Sequence, residues 1–354
     1  MVVIISKMYL MHTVWHLIKK ISGWLAAILI AVLICDLACF AFYDPCQELT
    51  RHGGATTGYL LPNSHGVYGL EGYCIANIDP YGYVNRDMPR SDDYCVVAGA
   101  SHTEGLFIPA EARYSDLLND AMYDDGKLHV INIGKSGNYF SVVLQHLDGI
   151  LGEFPDAKAL IIETDSLCYD TKALYDSMIQ EGYDPNETAS ALTGSMSGSG
   201  RLVIKAKQAL PLLRLIHKQY YTYLESIQEK SDSDILDPVF WKGEFDGDFE
   251  TALDDLMKYI RSKTDMQIII LYHPAVKLEA DGSMTFPTNN AEPYYEKICK
   301  DNGIDFVDMT PVFKKAYEEE HVIPYGFSNT TPGDGHMNKR AHQMIAEELE
   351  KVLK

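Results

Sequence analysis

The sequence has few of the parts that a metal centre, a cofactor site or a disulfide scaffold needs. Its cysteines are Cys35, Cys39, Cys46, Cys74, Cys95, Cys168 and Cys299, with no CxxC pair among them. Two fall inside an apolar run, which leaves an odd five outside it, so neither a disulfide framework nor a zinc site organises the chain. Cys95 sits in a short apolar stretch and is expected in the core. There is no HExxH, no carboxylate cluster with ligand spacing, no GxGxxG and no Walker loop. No metal and no cofactor are therefore expected. Basic residues are scarce as well: 30 Lys and Arg stand against 50 Asp and Glu, a net charge of -20. Phosphate binding needs a basic footprint, so nucleic acid is excluded as a partner. No internal repeat is visible.

What is present begins with one long hydrophobic run. Residues 1–43 carry Lys7, Lys19 and Lys20 against a single acid, Asp36, and residues 44–354 then hold 27 basic and 49 acidic residues. Between these charge regimes lies Ile21–Tyr43, whose 23 residues at about 1.5 Å each approach the thickness of a hydrocarbon core. Lysines before it, and Asp44 and Glu48 after it, predict a cytoplasmic N-terminus (1–20), a transmembrane anchor (21–43) and an extracytoplasmic remainder. Trp24 and Tyr43 stand where interfacial anchors belong. A cleaved signal peptide would have its apolar core at Leu25–Ile34. Lipidation at Cys39 would place Asp36 where an aliphatic residue normally stands. Hydrophobic length favours the uncleaved anchor, with Asp36 as a cost to be met near the outer interface.

After the anchor, residues 44–92 are rich in Gly, Tyr, Asn, Asp and Pro. GYLL, GVYGL and YCIANI alternate between turn signals and predict a small β-rich juxtamembrane segment. From residue 93 the texture changes. Short apolar runs at Tyr94–Ala98, His129–Ile133, Ala159–Glu163, Gln267–Tyr272 and Ile304–Val307 alternate with helix-like stretches near Ala112–Met122, Phe140–Leu151, Phe249–Ser262, Pro293–Asp301 and Asn338–Leu353. Strands alternating with helices predict a parallel sheet covered on both faces over 93–354. An insertion at about 168–248 interrupts it. This contains the Gly/Ser loop Leu192–Gly200, a helix-like Leu202–Ile227 interrupted by Pro211, and the aromatic, acidic Pro238–Asp248. Asn186-Glu187-Thr188 matches a glycosylation sequon by pattern and is taken as idle.

In an open parallel sheet, ligands gather at the carboxyl ends of the strands. GASHTEG (99–105) follows the first run, NIGKSGN (132–138) overlaps and follows the second, and Thr164-Asp165-Ser166 follows the third. GDGHMN (333–338) precedes the last helix. A serine, a glycine-rich turn, a small polar residue and a histidine thus meet on one edge, the parts that acyl transfer requires.

These blocks resemble those of the SGNH, or GDSL-like, hydrolases, and the tail GFSNTTPGDGHMNKRAH resembles the divergent, membrane-anchored bacterial members. The resemblance covers about 93–354, with the blocks in the family's order. It implies a flavodoxin-like three-layer α/β/α sandwich with about five parallel strands, joined here to one N-terminal transmembrane helix. It also implies that Ser101 is the nucleophile, His336 its base, and Asp334 the acid that orients the imidazole. The oxyanion hole would be built from the Ser101 and Gly137 amides with Asp165 or Thr164. The chain departs from the family pattern at Ala100, where an Asp is usual, at Glu163-Thr164-Asp165-Ser166, where an Asn is usual, and at Gly333, since Asp334 stands two rather than three positions before the histidine. Asp165 can donate to an oxyanion only when protonated, and Thr164 or Ser166 could donate in its place.

Asn138, His102 and His273 are candidates for contact with substrate. His102 is expected at solvent or on the cleft rim rather than as a base, and His342, inside the last helix, at the surface. The function so implied is an extracytoplasmic serine esterase or O-acyltransferase acting on small, acetyl-like esters of cell-envelope polysaccharide, with a membrane acyltransferase as a candidate partner. The drifted blocks leave open a non-catalytic, envelope-anchored binding or assembly protein. The anchor leaves open a lipase-like hydrolase.

Overall fold

The structure, a computed structural model, describes residues 2–50, 53–86, 93–124, 128–184, 210–216, 219–220, 247–286 and 290–353. The sequon, the Gly/Ser loop and most of Pro238–Asp248 lie outside the described residues. The chain divides into two compact units, Met1–Asp44 with Ser197–Lys230, and Pro45–Met196 with Ser231–Lys354.

The first unit is dominated by α1 (Val2–Phe42). Its stretch Met11–Phe42 is long and apolar enough to cross a membrane, a property that a signal sequence shares. The helix gives way to the two-residue strand β1 (Tyr43–Asp44). Pro211–Ile216 is helical, with Pro211 as its first helical residue. A proline suits that position, because the first turn needs no N–H there; the rest of the stretch expected to be helical, save Leu210 and Gln219–Tyr220, lies outside the described residues. Asp36 Oδ1 accepts a hydrogen bond from the Leu212 amide at 3.0 Å, and Arg214 pairs with Asp44.

The second unit opens with two antiparallel hairpins, β2 (Glu48–Thr50) with β3 (Gly58–Leu60), and β4 (His65–Tyr68) with β5 (Cys74–Asn77). These share one compact unit with the α/β domain instead of standing apart as a neck. They close a small core of Cys46, Leu60, Tyr68, Cys74, Ala76, Ile78 and Val84, which also takes in Leu106. The Arg113 guanidinium donates to the Val84 carbonyl at 2.7 Å.

The main sheet has five parallel strands: β6 (Tyr94–Ala98), β7 (His129–Asn132), β8 (Ala159–Thr164), β9 (Gln267–Tyr272) and β12 (Asp305–Asp308), in the order β12-β9-β8-β6-β7. In chain order that is 2-1-3-4-5, the flavodoxin-like arrangement, which switches direction between β6 and β8. Successive side chains point to opposite faces. Val96, Ala98, Leu160, Ile162, Ile268 and Ile270 enter one buried cluster, and Cys95, Val97, Ala159, Ile161, Ile269 and Leu271 the other. Both faces are covered, so the strands read as unbroken apolar runs.

The first face carries α4 (Phe140–Gln145), α5 (Leu147–Glu153), α6 (Thr171–Asp176), α7 (Phe249–Lys263) and α8 (Glu292–Asp301). The second carries α3 (Tyr114–Asp124), α9 (Thr310–Glu320) and α10 (Lys339–Val352). The single helix expected over Phe140–Leu151 is broken at His146, whose Nδ1 is 2.9 Å from the Gly54 carbonyl. A small hairpin, β10 (Lys277–Leu278) with β11 (Met284–Thr285), follows β9 and has no counterpart in the sequence reading.

Candidate active site

Strand β6 runs out at Gly99, and the chain turns at once into the four-residue helix α2 (Ser101–Glu104). A β-carbon at Gly99 would collide with the Glu163 carboxylate and the Thr103 hydroxyl, so only glycine lets the turn close so tightly. Glu163 is 1% exposed. It accepts from the Ala100 amide at 2.9 Å, from Thr103 Oγ1 at 2.9 Å and from His273 Nε2 at 2.8 Å. Burial alone would push its carboxyl up. The His273 bond and charge, with the Thr103 and Ala100 donors, outweigh that and hold it below the ordinary value. The turn that carries Ser101 is therefore fixed from below by a buried carboxylate, and Ala100 can be small because it presents only its amide to Glu163.

Ser101 Oγ lies 2.8 Å from His336 Nε2. On the far side of the ring, His336 Nδ1 is 2.7 Å from Glu71 Oε2, and the His336 amide donates to Glu71 Oε1 at 2.5 Å. One carboxylate thus grips both the ring and the backbone of the histidine, and the Nδ1 hydrogen bond sets the tautomer that leaves Nε2 facing the serine. Glu71 stands in the turn between β4 and β5. It fits because Gly335, at φ +80, has no β-carbon: one placed there would overlap the Glu71 carboxylate. Asn329 holds that turn, accepting from the Gly72 amide at 2.9 Å and donating to the Gly72 carbonyl at 3.1 Å. The Phe107 ring packs 4.1 Å from the His336 ring.

Asp334 is not the orienting acid. It is exposed and its Oδ1 accepts from the neighbouring Gly335 amide at 2.9 Å, while Glu71 fills the place beside Nδ1. Glu71 was missed because its partner is 265 residues away in sequence. The one available clue was indirect, an acid displaced from its usual spacing before the histidine.

The turn after β7 is held just as firmly. Glu104 is 1% exposed. Its Oε2 accepts from the Ser136 amide at 2.9 Å and from the Ser136 hydroxyl, and Lys135 Nζ lies 3.7 Å from Oε1. Asn132 donates to the Thr103 carbonyl at 2.7 Å and accepts from the Gly134 amide at 2.8 Å. Gly137 follows at φ +87, and a β-carbon there would meet open space. The glycine is needed for its left-handed backbone, and its open side faces no protein wall. Asn138 is 1% exposed and its Oδ1 accepts from Thr57 Oγ1 at 2.7 Å.

At the end of β8, Thr164 donates to the Ser166 carbonyl at 2.6 Å, so its hydroxyl proton is committed and it is not an oxyanion donor. Asp165 is half-buried. Burial first, and the Glu163 charge second, raise its pKa above the ordinary carboxylate value, only partly offset by His273 and His336. That direction favours the protonated, donating form.

His273 does not line the cleft. It is fully buried, with Nδ1 2.7 Å from the Tyr325 hydroxyl and Nε2 on Glu163. His102 is half-buried. Its ring sits between those of His336 and His273, at 5.0 and 4.8 Å, with Nδ1 3.3 Å from the Met337 amide. Burial lowers its pKa well below the ordinary imidazole value, so it packs as a neutral ring. His342 is 2% exposed rather than on the surface, and its Nδ1 accepts from the Tyr114 amide at 3.1 Å. Among the described residues, no group of His, Cys, Asp and Glu has the placement of a metal site.

The sheet order gives the chain a flavodoxin-like α/β fold, with a serine turn and a histidine loop at its carboxyl edge. No protein-family model matches it, and no curated protein does. Solved structures that are similar include TesA (12% identity, TM-score 0.38, covering 74% of this chain and 98% of that one). Another is a two-domain esterase, CEX, active on acetylated mannans (12% identity, TM-score 0.39, 74% and 48%). A third is the acetyl xylan esterase AlAXEase (13% identity, TM-score 0.38, 74% and 100%). Likenesses this distant carry neither activity nor substrate to this chain.

Proposed function

We propose that the protein is a serine ester hydrolase or O-acyltransferase of the SGNH type, with Ser101, His336 and Glu71 as its triad. The observation that carries this reading is the continuous chain of contacts from Ser101 Oγ through His336 to Glu71, at 2.8 and 2.7 Å. His336 Nε2 takes the Ser101 proton as Oγ attacks the ester carbonyl, and Glu71 stabilises the imidazolium that forms. The tetrahedral oxyanion is met by the Ser101 amide, which the first turn of a helix leaves without an intrahelical acceptor. The Gly137 amide completes the hole, and Asp165 adds a donor whenever it is protonated. His336 then returns the proton to the leaving alcohol. Water, or a sugar hydroxyl, attacks the acyl-enzyme in the second half of the reaction and frees Ser101.

We further propose that the enzyme is anchored by residues 21–43 with its catalytic unit outside the cytoplasm. Its substrate would be a small acyl ester on envelope polysaccharide, brought by or passed to a membrane acyltransferase. The net charge of -20 disfavours strongly anionic esters. A fluorophosphonate probe tests the chemistry. The expected result is stoichiometric labelling of the wild type and none of Ser101→Ala, and an unlabelled wild type overturns the reading. Chromogenic acetate and octanoate esters then test acyl size, with acetate turned over faster if the small-acyl proposal holds.

A further inference from the structure

We infer that residues 210–216 form a second membrane contact, lying in the outer leaflet against the anchor helix with Leu213 and Ile216 in lipid. The inference rests on the membrane-anchor reading. Pro211–Ile216 is helical. At 3.6 residues per turn, Leu213 and Ile216 lie about 60° apart on one face. They are 49% and 55% exposed. The opposite side of the same helix holds Pro211, Arg214 and Leu215, buried or half-buried. The pattern is inverted for a helix in water, which turns its apolar stripe inward, and it suits a helix whose outer face meets hydrocarbon.

Two contacts within this unit set the depth. Asp36 Oδ1 accepts the Leu212 amide at 3.0 Å, and Arg214 pairs with Asp44. Asp36 lies about 10 Å of helix rise below Tyr43, which puts Leu212 about a third of the way into a hydrocarbon core of ~30 Å. Leu213 and Ile216 are then at acyl-chain depth, and Arg214 reaches up to the interface along its aliphatic stem. The arrangement also accounts for the acid in the middle of the anchor. A lone carboxylate in hydrocarbon is costly, whereas one that accepts a backbone amide is a docking point for the segment beside it.

The test uses the full chain in liposomes containing acyl-brominated phosphatidylcholine, with Trp15, Trp24 and Trp241 changed to Phe. Single tryptophans are placed by Leu213→Trp, Ile216→Trp, Leu29→Trp as an anchor control and Tyr81→Trp as an aqueous control. The expected result is that fluorescence at 213 and 216 falls by about half or more, as at 29, while 81 is unchanged. If 29 is quenched and 213 and 216 are not, this inference is overturned and the anchor stands. If 29 is also unquenched, the membrane reading fails and takes the inference with it. Unquenched, blue-shifted emission at 213 and 216 with cross-linked dimers would assign the face to a second copy of the chain, which also overturns it.

Discussion

Glu71 reaches His336 because position 335 has no β-carbon, and that single steric fact decides which acid completes the triad. Losing the acid leaves the serine and base in place but removes the partner that fixes the tautomer and meets the imidazolium charge. Glu71→Gln is therefore expected to lower kcat by roughly 10²–10⁴-fold with little change in KM. Asp334→Ala, which removes only a local turn contact, is expected to stay within about twofold of wild type. Steady-state kinetics on acetate esters separates the two, and equal losses would return the role to Asp334.

Asp165 offers a second test at the same scale. Burial and the Glu163 charge raise its pKa, so the protonated donor persists to higher pH than an ordinary aspartate allows. Activity that depends on this proton is present below the raised pKa and declines as pH rises through it. Any stability that the protonated form contributes is lost in the same direction. Asp165→Asn, a permanent donor, is expected to abolish that alkaline decline in the kcat profile. Asp165→Ala is expected to be slower by about 10–10²-fold at every pH. An unchanged alkaline limb in the Asn variant would remove Asp165 from the oxyanion hole.

Between elements, the informative joint is the one that ties the nucleophile helix to the oxyanion turn. Glu104 stands on the helix that starts with Ser101, yet its carboxylate grips Ser136, next to Gly137. The proposed nucleophile and oxyanion donor are thereby held in one register, as electrostatic preorganisation requires. Glu104→Ala is expected to lower kcat by about 10–10²-fold while KM for the ester moves little. It is also expected to weaken binding of a boronic-acid analogue of the tetrahedral intermediate more than binding of a substrate analogue. A variant that loses only thermal stability, with kcat intact, would make Glu104 a structural residue alone.

Over the whole molecule, the acidic excess sits beyond the long apolar helix, with 49 acidic against 27 basic residues in 44–354. Such a field repels anionic substrates over distances of about a Debye length, ~10 Å at 0.1 M salt. The expected outcome is that kcat/KM for a negatively charged ester rises with added salt, while that for a neutral ester of the same acyl group stays flat. The hairpins of residues 48–77 also matter at this scale. Read from sequence they are a β-rich juxtamembrane segment, but they share one compact unit with the main sheet and supply the acid of the proposed triad.

The alternation of apolar runs with amphipathic stretches was enough to place all five sheet strands and most of the helices, because burial on both faces leaves a local signature in the sequence. That Ser101 and His336 stand near one another at the carboxyl edge was legible for a related reason, since each lies within two residues of a glycine, Gly99 or Gly335, at the end of a strand or before a helix. The sequence alone could not choose the acid or the depth of His102, His273 and His342. Those depend on contacts across scores to hundreds of residues, from Glu71 to His336 and from Tyr114 to His342, which no spacing encodes and only chain packing decides.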